Sequence, residues 1–133
     1  MSGAVQAIKH ILVNNAGLIA VVPSTRISAG PLPQSTSLPI VSLDLVSRTE
    51  LQMVDGGSGL YRSRVQITVA AADYPTKVQV LELVRAALPR SRGTHNGIAV
   101  DSVIPDGLGP DMADEESGIF LGSVDYLVTH TTA

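Results

Sequence analysis

The stretch from Leu38 to Ala71 constrains this chain more than any other part of it. Val65, Ile67, Val69 and Ala71 alternate there with Arg62, Arg64, Gln66 and Thr68. Successive side chains on a strand leave opposite faces. The alternation therefore predicts a strand with one face in a core and the other facing water or a partner. The strand before it has Val41, Leu43 and Leu45 inward and Ser42 and Asp44 outward. Between the two, Asp55-Gly56-Gly57-Ser58-Gly59 supplies residues that tolerate the positive φ a reversal of direction needs. The expectation is a β-hairpin whose polar face carries the function.

The rest of the chain arranges itself around that hairpin. Ser2 is placed to cap a first helix, in which Val5, Ile8, Leu12, Ala16 and Ile19 form one apolar stripe. Gly17 is expected to end or break it, and Pro23 forbids continuation. Four prolines between Pro23 and Pro39 predict an ordered, extended crossing segment. Pro75 sits where a helix begins, with Asp73 or Tyr74 just outside. Val78, Leu81, Val84 and Leu88 give that helix one apolar face, widened by Val80, Leu83 and Ala87, and Pro89 closes it. A helix apolar on more than one side packs between two things, here a sheet and a neighbouring subunit. Ile98–Ile104 and Ile119–Thr129 follow as strands, with residues 105–118 expected as a long exposed loop. This order predicts an α+β domain spanning residues 1–133. Its mainly antiparallel four-stranded sheet would carry two helices on one face and leave the other free.

Composition narrows the function. The absence of cysteine excludes disulfides and thiolate metal sites. A 44% hydrophobic share beside 16% charged residues suggests that other subunits cover part of the surface. A net charge of −3, one Phe, three Tyr and no Trp give no basis for nucleic-acid binding by field or by stacking. No run reaches the ~18 to 20 apolar residues that would cross a bilayer. Asn14, Asn15 and Gly17 interrupt residues 11–22, which argues against a signal-peptide core and for a protein made in the cytoplasm.

Chemistry-bearing constellations are few. Asp106, Asp111, Asp114, Glu115 and Glu116 offer oxygen ligands without the spacing of a calcium loop. They read as a metal site, as a solvated acidic loop, or as a partner for Arg90 and Arg92 of an adjacent subunit. His10, His95 and His130 lack paired spacing and read as surface or partly buried side chains rather than zinc ligands. Gly-x-Ser-x-Gly is absent, and the glycine tract lacks the Lys-Ser/Thr of a phosphate loop. Arg62 and Arg64 suit a phosphate clamp or, more commonly, carboxylates across strands, with Asp44 and Asp125 as candidates. No cofactor is implied.

A set of landmarks in order carries the reading further. Arg26-Ile27, Gly30-Pro31-Leu32-Pro33-Gln34 and Leu38-Pro39 lead into a strand ending Val46-Ser47. Gly59-Leu60 precedes Arg64-Val65-Gln66-Ile67, a helix ends Val84-Arg85-Ala86-Ala87-Leu88, and Ser123-Val124-Asp125-Tyr126 lies near the C-terminus. Together they resemble the tail completion, or tail terminator, proteins of long-tailed bacteriophages and related gene transfer agents. Ser28 and Ala29 depart from that family's pattern, where an aromatic and a proline are expected, and residues 105–118 match no part of it. The resemblance implies a non-enzymatic virion protein forming a closed ring, commonly a hexamer, at the head-proximal end of the tail. Its implied partners are further copies of itself, the tail tube protein and the head-tail connector, with DNA sliding through the lumen unbound. A head-tail adaptor or stopper is the neighbouring alternative, and a small metal-dependent enzyme or ligand-binding domain using the acidic loop is the distant one. The expected interface residues are Asp44, Asp55, Arg62, Arg64, Gln66, Thr68, Arg90, Arg92, Asp114, Glu115 and Asp125.

Overall fold

A computed structural model describes residues 3–30, 37–53, 56–88, 93–95, 97–114 and 116–131, with 52, 53 and 56–58 described as backbone only. Helix α1 covers Gly3–Val13 and buries Ala4, Val5, Ala7, Ile8 and Leu12. It ends before Gly17 is reached. Asn15 accepts a hydrogen bond from the Leu18 amide and so starts the short helix α2, Ala16–Ile19. The expected single stripe therefore breaks at Asn14-Asn15. Leu18, and not Ala16 or Ile19, enters the core. The expected Ser2 cap lies outside the described residues.

A 3₁₀ turn at Ser24–Arg26 leads into β1, Ile27–Ala29, which pairs parallel with the start of β2, Ile40–Met53. Strand β2 pairs antiparallel with β3, Gly56–Ala71. After α3, Tyr74–Ala87, come β4 at Gly93–His95, β5 at Ile98–Leu108, β6 at Met112–Asp114 and β7 at Ile119–His130. Among the described residues the strand order is β1-β2-β3-β7-β5-β4, and β6 also pairs with β7. The described residues thus form a sheet of seven strands where four were expected, and three α-helices where two were. The additional strands β1, β4 and β6 are three residues long each, too short to show a periodicity. The region expected as a loop contributes the end of β5 and all of β6. Pro105 lies within β5 because no strand occupies that stretch's outer side among the described residues, so its missing N–H breaks no ladder there.

The alternation in β3 is realised: Val65, Ile67, Val69 and Ala71 are buried. Val65, Ile67 and Val69 join Val41 and Leu43, Val124, Tyr126 and Val128, and the apolar faces of α1 and α3 in one cluster. Each buried aliphatic contributes about 1.5–3 kcal/mol, and all lie on the helix-bearing face. The buried stripe of α3 is Lys77, Val80, Val84 and Ala87, continued by Leu88. Of the expected face, Val84 and Leu88 are buried, as are Val80 and Ala87 from its widened margin. Val78 is exposed and Leu81 half-buried. Asp73 caps α3 by accepting from the Thr76 amide at 2.8 Å, and the Thr76 side chain first, with that amide second, holds its carboxyl below the usual value.

Leu45 shares the face of the buried Val65 as expected but stays outside the core, 41% exposed. Leu45 stands opposite Val65 and Ser47 opposite Arg64, so Val46 is an extra residue and the strand bulges. Residues 44–49 are all exposed. Beyond Tyr61 the β2–β3 hairpin runs on past the end of β7 as a two-stranded arm. Met53 pairs with Gly56, and Asp55 of the expected reversal lies outside the described residues. Gly59, with φ of 70°, instead serves a second irregularity, where four steps along β3 match two along β2.

Candidate assembly surface

The register of four strands writes the helix-free face as rows. Ser42, Thr68 and Ser123 form one row, and Asp44, Gln66 and Asp125 the next. Then come Ser47, Arg64, Leu127 and Ile104, followed by Thr49, Arg62, Thr129 and Ser102. Six of the expected interface residues (Asp44, Arg62, Arg64, Gln66, Thr68 and Asp125) therefore share one surface. The surface is not purely polar, since Leu127 and Ile104 continue the arginine row.

The two arginines differ. Arg64 forms ion pairs with Asp106 and, at 3.3 Å, with Asp125. The hydrogen bond to Asp106 is the chief cause that raises its pKa above the ordinary value, with Asp125 adding to it. Arg62 is exposed and makes no ion pair among the described residues. Asp44, expected as an arginine partner, lies opposite Gln66 instead. Asp125 is the partner that materialises.

The acidic group divides. Asp106 serves Arg64. Asp111 accepts from Lys77 and, at 3.0 Å, from the Tyr74 hydroxyl. Those two bonds, Lys77 foremost, hold its carboxyl below the ordinary carboxylate value. Asp114 accepts from the Glu116 amide at 3.1 Å. Among the described residues no three acids or histidines converge as metal ligands do. Asp55, Arg90, Arg92 and Glu115 lie outside the described residues.

Two arrangements were not anticipated. The Lys77 side chain is 1% exposed, with its ammonium 4.3 Å from the centre of the Tyr74 ring and tied to Asp111. Tyr74 in turn meets Phe120 edge-on at 6.2 Å. Lys77 precedes Val80 and Val84 by three and seven residues, the spacing of the buried face. That spacing was the available signal. The second arrangement is a buried hydrogen bond of 2.7 Å between Ser63 and Nε2 of His130, with the Tyr61 ring stacked on the imidazole and Arg48 over Tyr61. His130, expected at or near the surface, is fully buried. No sequence spacing links residues that pair only through the β3–β7 register.

No protein-family model matches this chain, and no curated protein does either. Among solved structures, the chain is similar to one from the virion of native gene transfer agent (GTA) particle. The TM-score is 0.78 and the identity 18%, over 97% of this chain and 98% of that one. At that identity the likeness establishes the fold, from end to end. Among the described residues no helix is long and apolar enough to cross a membrane.

Proposed function

We propose that this chain is a structural virion protein of a phage-type tail, a terminator that closes into a ring at the head-proximal end. There it stops tube growth and presents a joint to the head connector. The observation that carries the reading is the full-length likeness to a GTA virion chain. The ordered landmarks of the tail terminator resemblance point the same way independently. The surface suits assembly: a bare sheet face, a protruding hairpin arm and exposed aliphatics at the strand margins. Six copies, a lumen that passes DNA without specific contacts, and an interface drawn from Asp44, Arg62, Gln66, Thr68, Asp114 and Asp125 complete the proposal. Asp55, Arg90, Arg92 and Glu115 join it as residues of the same charged segments.

Deleting the gene tests the role. Loss of a terminator yields tails of uncontrolled length, seen by electron microscopy. Tails of normal length left unattached to heads would instead assign the chain as a head-tail adaptor.

A further inference from the structure

The fold brings together two histidines that lie far apart in the chain. Helix α1 packs against strand β4, and there the imidazoles of His10 and His95 meet with ring centres 6.0 Å apart and planes inclined at 51°. His10 is exposed and His95 half-buried. Among the described residues neither ring forms a hydrogen bond or an ion pair, although Nε2 of His95 is fully buried. The third histidine, His130, differs from both, being bonded to Ser63 and stacked on Tyr61.

A buried nitrogen that neither donates nor accepts is a cost to the fold, and a bound ion is one thing that removes it. The surroundings favour a cation. His10 lies in the last turn of α1, where the aligned peptide dipoles place partial negative charge. The spacing agrees as well. Two imidazoles sharing one zinc ion at ~2.0–2.1 Å per bond hold their ring centres no more than about 6.4 Å apart. The observed 6.0 Å falls within that limit, so side-chain rotation alone suffices to bring both rings onto one ion.

We propose that His10 and His95 form a site for a zinc-class divalent cation, held by Nε2 of His95 and a ring nitrogen of His10, with water filling the remaining positions. Imidazole suits zinc, nickel and copper, whereas magnesium and calcium take oxygen ligands. No acid joins the pair among the described residues, which keeps the site selective for the nitrogen-seeking ions. Two protein ligands are fewer than the three or four of a catalytic or structural zinc centre, so the ion binds reversibly and acts as a clamp. It ties the end of α1 to β4. Because β4 pairs with the start of β5, the clamp fastens that margin of the sheet to the helical layer.

Zinc chloride titrated into the full chain by calorimetry should show one ion bound per chain. It should also raise the melting temperature and slow amide exchange at Thr94 and His95, whereas magnesium should do none of these. His10→Ala, a change at an exposed position, should weaken zinc binding at least about 10-fold and remove the melting shift. His95→Gln should do the same. No uptake at millimolar zinc overturns the site. So does binding that survives in both variants, which would put the ion elsewhere on the chain. A zinc effect seen only as pairing of two copies in sedimentation overturns it too. Should His95→Gln fail to fold, the His10→Ala result decides alone.

Discussion

Gly122 is the position where this packing can be tested with one methyl group. It lies on β7 opposite Val69, under α3, and its backbone is ordinary for a strand, so only space explains the glycine. A Cβ there would sit 2.7 Å from Leu81 Cδ1 and 3.2 Å from Lys77 Cδ. Carbon atoms prefer ~3.5–4.0 Å, so Leu81 must withdraw its methyl by roughly 1 Å and the Lys77 stem by a few tenths. Leu81 is half-buried and can turn, at roughly 0.5–1.5 kcal/mol if it leaves its rotamer. Lys77 is held at its far end by Asp111 and cannot yield as freely. Against this, replacing glycine recovers ~0.4–1 kcal/mol by restricting the unfolded chain. Gly122→Ala should therefore lose about 1 kcal/mol net, and Gly122→Val about 3 kcal/mol as the overpacking grows. Urea unfolding followed by far-UV circular dichroism reads both. In a Leu81→Ala background the clashing methyl is gone, so Gly122→Ala should there cost about 1 kcal/mol less. A Gly122→Ala protein as stable as the parent, or additivity with Leu81→Ala, would refute the reasoning.

Ser63→Ala removes the hydroxyl partner of buried His130 and should cost ~1–3 kcal/mol in the same urea assay; a neutral result would mean the pair is replaceable by packing. Asp111 has a folded pKa below its ordinary 3.8, so its stabilising effect is present above that value and lost as pH falls through the lowered one. The melting-temperature gap between the parent and Asp111→Asn should be constant at neutral pH and shrink in acid; a gap unchanged in acid contradicts the Lys77 tie. Arg64→Glu places a third carboxylate between Asp106 and Asp125 and should lower the melting temperature, whereas Arg62→Glu should leave it unchanged and weaken assembly. The reverse ranking in paired melting and sedimentation measurements would sink that division.

The strongest signals in the sequence were those whose cause is local. The alternation of Val65, Ile67 and Val69 needs only a pleated backbone, and it placed the buried and bare faces of β3 correctly. Asp73 and Pro75 marked the start of α3 for equally local reasons. What escaped depends on register. Val46 bulges because of its match with β3, and at that bulge Leu45 and Val46 are both exposed. The buried stripe of α3 includes a lysine, and a hydrophobicity pattern discards lysine by rule. The stem of Lys77 is nonetheless as apolar as leucine, and Gly122 leaves the groove that receives it. The pairing of Arg64 with Asp125 was legible as a cross-strand possibility, but that with Asp106 required β5 to continue past Pro105.

Those ties explain how an acidic segment with no basic residue of its own keeps a fixed place. Asp106 is anchored to Arg64 on the helix-free face, and Asp111, five residues later, to Lys77 on the helix-bearing face. The chain between them, Gly107 to Pro110, passes from one side of the sheet to the other around its margin, with Gly107 at φ 108°. Gly109 completes the crossing by donating its amide to the Ser123 carbonyl at 2.8 Å, so close that a Cβ would strike the Ser123 hydroxyl. A strap pinned from both faces presents Leu108 and Met112 outward at a defined position rather than on a freely moving loop. Preorganisation of that kind lowers the entropic cost of association. It follows that releasing either pin should loosen any contact made by this margin without touching a contact residue. Asp111→Asn should then weaken self-association while Leu108 and Met112 remain in place. If its only effect is on melting, the margin is not where copies meet.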